Sequence, residues 1–272
     1  MEKRKGFTLV ELLVVIAVVA LLMAMLLPVL WRVKRQAKEV LCRSNLREWG
    51  VVFGMYTSGN DGYLPRCRGG DGPTEMGWSV KILDYEQRHY TGTEDIRLCP
   101  TAAEVGTGVD DEGRRILGST FEAWGWVEAS DKTDLWKEYR GSYGLNRWVW
   151  NYDYKWIDAK VADRWWRTPL VQGASNVPVF VDCAWESMWA GEEDDPPEQE
   201  EQFESAMSYY CLNRHDGGVN GLFLDWSVRE LGLKQLWTLK WHRQFDTAGP
   251  WTRAGGCTAE KWPSWMRTFE DY

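Results

Sequence analysis

The sequence predicts an α+β protein, a long N-terminal membrane-spanning α-helix packed on a globular head that contains an antiparallel β-sheet. Three observations lead to that class. Residues 7–31 form a run of 25 whose only strongly polar members are Thr8 and Glu11. Cys42, Leu46, Trp49, Phe53 and Tyr56 then recur at spacings of four, three, four and three, which is one face of a helix continuing beyond the apolar run. Later, short apolar runs at 177–183 and 219–224 are bounded by turn residues and read as strands.

The first element is the helix. At ~1.5 Å rise per residue the apolar run reaches roughly 37 Å, enough to cross a hydrocarbon core of about 30 Å. A secretory signal peptide carries a shorter apolar stretch and a small-residue cleavage site, and neither is present here. Basic residues flank the run on both sides, Lys3, Arg4 and Lys5 before it and Arg32, Lys34, Arg35 and Lys38 after it, so charge bias does not set orientation. Glu11 is the informative residue, because a carboxylate inside an apolar span is expensive and marks a functional site. Pro28 removes one backbone bond and bends the span. The amphipathic continuation extends the helix to about Thr57, and Ser58-Gly59-Asn60-Asp61-Gly62 supplies the stop, with Gly59 expected in the left-handed cap conformation.

The basic leader, Gly6-Phe7-Thr8-Leu9-Val10-Glu11 and the apolar helix together resemble the class III signal of type IV pilins and type II secretion pseudopilins. The resemblance implies cleavage between Gly6 and Phe7 on the cytoplasmic face by a prepilin peptidase, and N-methylation of Phe7. It implies that Glu11, fifth in the mature chain, pairs with Phe7 of an adjacent subunit as a filament grows. Pro28 sits where that family carries a helix-kinking proline. The domain plan is then a cleaved leader (1–6), a stalk helix (7–57, with 7–31 transmembrane) and a head (58–272).

Within the head, 63–77 reads as irregular, 78–86 as a helix, 177–183 as a buried strand and 206–212 as its neighbour. Residues 192–204 hold eight carboxylates and no basic residue, a solvated loop, with calcium at Asp194 and Asp195 as the alternative although EF-hand spacing is absent. The stretch from His215 to Val228 resembles the C-terminal signature of a group of prepilin-processed proteins, a histidine followed nine residues on by Asp-Gly. Asn45-Leu46 after Cys42, the turn Asn60-Asp61-Gly62-Tyr63-Leu64-Pro65, Cys99-Pro100 and Ser142-Tyr143-Gly144-Leu145-Asn146 also match that group. Here Trp226 replaces the usual glycine after Asp225, which argues against a positive φ in that turn. With Gly217-Gly218 as a hairpin turn and 219–224 as a strand, His215 and Asp225 lie roughly 20 Å apart along the sheet, too far to share a proton. His215 is expected to cap the hairpin, Asp225 to accept backbone donors in the next turn, and 228–231 to return as a third strand.

Six cysteines in an exported chain suggest disulfides, with Cys183–Cys211 as the first pair and Cys42–Cys99 as a second. No Cys-x-x-Cys, Gly-x-Ser-x-Gly, His-Glu-x-x-His, P-loop or Gly-x-Gly-x-x-Gly occurs, so no metal, cofactor or enzyme chemistry is expected. Residues 233–241 read as a short helix leading into a tail that wraps the head.

Composition bounds the function. With 26% charged and 44% hydrophobic residues the 272-residue chain is neither a polytopic membrane protein nor mostly disordered. A net charge of −8, with no basic patch outside 32–38, argues against nucleic acid. Nineteen tryptophans against three histidines favour contact surface over proton chemistry. The expected function is a structural subunit of a type IV pilus-like or type II secretion pseudopilus filament. By resemblance it spans the inner membrane once, N-terminus cytoplasmic and head periplasmic, and assembles with its own copies through a membrane platform. The alternative is an envelope-anchored polysaccharide-binding module using Trp148, Trp150, Trp156, Trp165, Trp166, Trp237, Trp241, Trp251, Trp262 and Trp265, and a tethered hydrolase stands third.

Overall fold

The computed structural model describes residues 9–67, 96–106, 115–126, 140–152 and 159–272. The leader with Gly6 and Phe7, the helix expected over 78–86 and Trp156 lie outside the described residues.

A single helix α1 (Leu9–Ser58) of 50 residues opens the described chain. At ~1.5 Å per residue it is roughly 75 Å long. Pro28 withholds the bond that would go to the carbonyl of Ala24, yet the helix continues through it. Its two halves differ in surroundings. Residues 9–37 are exposed throughout, whereas Cys42, Leu46, Trp49, Gly50, Val52, Phe53 and Thr57 are buried. That buried stripe is the one the four-three spacing predicts, with Tyr56 packed half-buried at its edge. The helix stop differs in detail from expectation. Gly59 still bonds the carbonyl of Met55 at 3.1 Å, and the left-handed residues are Asp61 (φ 53°) and Gly62 (φ 76°). Asn60 Nδ2 caps the carbonyl of Tyr56 at 2.7 Å, which lets the helical turn persist past Gly59.

Short strands follow: β1 (Arg66–Cys67), β2 (Arg115–Ile116), β3 (Trp124–Trp126), β4 (Arg140–Gly141), β5 (Tyr143–Asn146) and β6 (Asn151–Tyr152). A one-turn helix α2 (Ala159–Ala162) leads to β7 (Pro178–Asp182), β8 (Ser187–Met188), β9 (Gly218–Phe223) and β10 (Val228–Gly232). The central sheet has the order β10-β9-β7-β5-β8, antiparallel except for the parallel β5/β8 pair. Strand β7 is buried at every position, as a continuous apolar run covered on both faces should be. The stalk lies across β9 and β10. Trp49 and Phe53 meet Phe180 of β7 at ring-centroid distances of 5.2 and 5.7 Å.

Three expectations are corrected. Residues 206–212 are not a strand: Met207–Tyr209 is a 3-10 turn, and the partners of β7 are β5 and β9. Gly217-Gly218 is not a strand-to-strand hairpin but a tight turn entering β9, with Asp216 and Gly217 at positive φ and His215 N bonding the carbonyl of Gly218 at 3.0 Å. The hairpin is the β9/β10 turn, where Trp226 does adopt positive φ, 66°. That conformation costs a non-glycine residue roughly 1–2 kcal/mol. It turns the indole onto the stalk, 6.1 Å from Phe53 and over the bare backbones of Gly50 and Gly54. Packing against α1 thus offsets the strain.

After β10, Leu233–Thr238 forms a 3-10 helix and the tail wraps the head as expected. Lys234 is buried beneath it, with Nζ 2.6 Å from Asp271 Oδ1 and 2.9 Å from the carbonyl of Phe269.

Candidate functional site

Two regions of the molecule carry unusual chemistry, one at each end of α1. The N-terminal half presents an unbroken apolar surface, with Leu9 78% and Trp31 69% exposed and Glu11 set within it. An exposed face of this length needs a lipid or protein environment.

The second region lies where the stalk meets the head. Cys42 of α1, Cys99, Asp182 at the end of β7 and His215 before β9 are all buried, and their ligand atoms lie within 4.8 Å of one another. Each is delivered by a different element. The stripe that buries α1 carries Cys42 inward. Asn45 Nδ2 and Trp49 Nε1 bond the carbonyls of Leu98 and Ile96 at 2.8 and 3.1 Å, fastening the Cys99 segment to α1. The tight turn at 215–218 aims His215 back at the sheet.

The distances define one compact cluster. His215 Nε2 is 3.1 Å from Asp182 Oδ2 and 3.5 Å from Cys99 Sγ, and Cys42 Sγ is 3.9 Å from both Asp182 oxygens. Around it stand polar groups that orient the members. Arg214 Nη1 donates to Asp182 Oδ1 at 2.9 Å, and the backbone N–H of Asn220 donates to Oδ2 at 2.7 Å. Asn220 Nδ2 and the Tyr143 hydroxyl lie 3.4 and 3.3 Å from Cys42 Sγ. Arg214 also donates to the carbonyls of Ser119, Thr120 and Ser142 at 2.7, 3.0 and 2.6 Å, so its charge is held in place.

The electrostatics follow from burial and these partners. Burial would raise the Asp182 carboxyl, but His215 and Arg214 outweigh it and hold it below its ordinary value. Burial would lower His215, and the Asp182 carboxylate outweighs that, raising it to about 10. Burial pushes the Cys42 thiol well up, reinforced by Cys99 and Asp182. For Cys99 the same burial is overcome by its hydrogen bonds with Cys42 and His215 and by Arg214, leaving it at about 6. A Cys-His-Asp grouping suggests nucleophilic catalysis, but Asp182 shares the Nε2 edge of His215 with Cys99, whereas a triad needs the carboxylate on the opposite ring nitrogen.

Several sequence-predicted residues fall elsewhere. Asp225 sits in the exposed β9/β10 turn, where Oδ1 accepts from Ser227 N at 3.0 Å, at the far end of β9 from His215. His215 belongs to the buried cluster rather than to a hairpin cap. Cys183 and Cys211 are both buried free thiols: Cys183 Sγ accepts from Trp185 N at 3.4 Å, and Cys211 Sγ faces Met266 Sδ at 4.0 Å. They do not pair in the structure: 206–212 contains a 3-10 turn whose Tyr209 carbonyl accepts from Ala184 N at 2.9 Å, while Cys211 is turned toward Met266. Cys42 and Cys99 are brought together as expected, but as free thiols. Asp194 Oδ2 closes its own loop, accepting from Gly191 N at 3.0 Å and Met207 N at 2.9 Å, and Asp194 and Asp195 belong to no group of three or more gathered His, Cys, Asp or Glu side chains among the described residues. Trp148, Trp150, Trp165, Trp166, Trp237, Trp241 and Trp262 are core residues, and Trp251 and Trp265 are half-buried.

Sequence reasoning missed Asp182, Arg214 and Asn220. The available signal was that separate matched segments each place one residue here: Cys42, Cys99, Tyr143 and His215.

Comparison with known proteins bears on the first region. The type IV wide pilus major component PilA4 of Thermus thermophilus is 38% identical over 63 residues, which is 23% of this chain and 48% of that protein. The chain thus spans about half the length of the relative it matches. No solved structure matches it. Residues 1–27, the segment running into the exposed apolar half of α1, match the prokaryotic N-terminal methylation motif.

Proposed function

We propose that the chain is a structural subunit of a type IV pilus-like or type II secretion pseudopilus filament, made as a precursor cleaved between Gly6 and Phe7 and methylated on Phe7. The observation that carries this reading is continuity: the methylation motif at 1–27 runs directly into a helix whose residues stay exposed through 37, with Arg35 reaching Asp216 of the head at 3.0 Å. Such a helix has two environments suited to it, the membrane before assembly and the apolar faces of neighbouring copies afterwards. Similarity to a pilus component supports the second. In this reading a prepilin peptidase removes the leader on the cytoplasmic side, the head lies in the periplasm, and an inner-membrane platform stacks the helices. Glu11 then sets the register by pairing with the α-amino group of Phe7 on the next subunit.

The test is Glu11→Ala in the native host. Membrane insertion stays intact, because the apolar run is lengthened, while filaments are lost or form far more slowly. Filaments at the normal rate from this variant would overturn the pairing.

A further inference from the structure

We propose that Cys42, Cys99, Asp182 and His215 form a structural site for a borderline-soft divalent metal of the zinc class, one that clamps the stalk to the head. The ligand set suits that class: two thiolates and an imidazole select against calcium and magnesium, and a carboxylate completes four. Geometry agrees. With zinc about 2.3 Å from sulfur and about 2.0–2.2 Å from nitrogen or oxygen, the edges of a tetrahedron are about 3.4–3.8 Å. Three of the cluster's edges are 3.5 Å (Cys99–His215), 3.9 Å (Cys42–Asp182) and 3.1 Å (His215–Asp182) and the other three lie within 4.8 Å, so shifts of at most about 1 Å would seat the ion.

The surroundings carry the inference further. Ligating carboxylates and thiolates are typically oriented by outer hydrogen bonds. Here Arg214 and Asn220 N hold Asp182, and Asn220 Nδ2 and Tyr143 are aimed at the Cys42 sulfur. Charge also balances. Two thiolates and Asp182 are offset by Arg214 and a dication, leaving the buried set neutral with a neutral imidazole. All four ligands come from protein and all are buried, so no position is open to substrate and the site is structural. Metal binding would displace to solvent the protons that the Cys42 thiol and the His215 imidazolium carry, Cys99 already being a thiolate, and no redox step is involved.

The site would join segments that chain connectivity leaves far apart, with Cys42 and Asp182 separated by 140 residues. Its role is to fix the head on α1 at the point where the stalk emerges.

The test uses the full chain purified in detergent from zinc-supplemented cells, with metal measured by mass spectrometry and thiols counted after denaturation. About one zinc per chain is expected, together with the visible spectrum of tetrahedral thiolate-bound cobalt after exchange. Cys99→Ser and His215→Gln should lower the bound metal at least tenfold, and Cys211→Ser should keep it. Should the cluster variants fail to fold, the wild-type stoichiometry and cobalt spectrum still decide. A folded wild-type chain without stoichiometric metal, with Cys42 and Cys99 either free or joined as a disulfide, overturns the proposal. Full metal retention in folded Cys99→Ser does the same.

Discussion

Arg214 shows how much a single side chain holds in this head. Its guanidinium and the Asp182 carboxylate are both inaccessible to solvent, and it satisfies three further carbonyls. Removing one partner of such a pair leaves a buried charge uncompensated and costs about 3–5 kcal/mol. Arg214→Ala should therefore lower chemical-denaturation stability by that order. Arg214→Lys should restore little, because a single ammonium cannot span the same fork. His242 gives a pH signature. Its Nε2 is 3.0 Å from Glu192 Oε2, while Nδ1 is buried with no hydrogen-bond partner among the described residues, which fits the neutral imidazole. Burial lowers it to about 4 despite Glu192, with Arg164 and Lys240 adding to the fall. Between about pH 6.5 and 4 the unfolded chain binds the proton that the folded chain refuses, so stability falls as pH drops through that window. Thermal melts across it should be steeper for the wild type than for His242→Gln, and equal slopes would contradict the assignment. Glycine in the Ser142–Asn146 motif also has a residue-scale reason. A Cβ at Gly144 would come within 2.5 Å of the Trp185 carbonyl and 2.6 Å of Cys183, so β5 can approach its neighbours only without a side chain there.

At the scale of elements, α1 is one helix with two energetic roles. Phe53 is buried against Phe180, so Phe53→Ala should destabilise the head by about 3–5 kcal/mol. Leu22 is 55% exposed on the bare half, so Leu22→Ala should leave the head's melting unchanged and act, if anywhere, on assembly. Detergent melts of the two variants check the contrast. The stalk was legible in the sequence because its pattern is periodic and local: Cys42, Leu46, Trp49 and Phe53 announce a face before any partner is known. Strands β7 and β9 were legible as compact apolar runs between turns, and β10, Val-Arg-Glu-Leu-Gly, only as the return after the Asp225 turn. The segment 206–212 was not, since an apolar run such as Ala206-Met207 followed by tyrosines fits a buried 3-10 turn as well as a strand, and only the sheet order decides. Trp226 misled in the other direction. Its unfavourable backbone is set by a long-range contact with Gly50, Gly54 and Phe53, which no local rule contains.

Across the whole molecule, the two chemically distinctive regions sit on one rod. The upper half of α1 overlaps the match to the methylation motif and presents an exposed apolar surface. The lower half carries Cys42 into a cluster that ties stalk, sheet and two loops together. The first region is continuous in sequence and could be read from it directly. The second is assembled from Cys42, Cys99, Asp182 and His215, and Asp182 lies in a strand whose other residues signal only burial, so the set emerges with the fold. The tryptophans follow the same division. Their number suggested a binding face, and Trp148, Trp165 and Trp189 instead pack on one another with ring centroids 4.6–5.8 Å apart, filling the head. What the molecule leaves uncovered is the N-terminal helix, and its fate is the central claim. Intact mass and N-terminal sequencing of the chain from native membranes with active prepilin peptidase test it most directly. The account predicts a mature chain that begins at methylated Phe7. A chain retaining Met1 to Gly6 would contradict it and make α1 a static anchor.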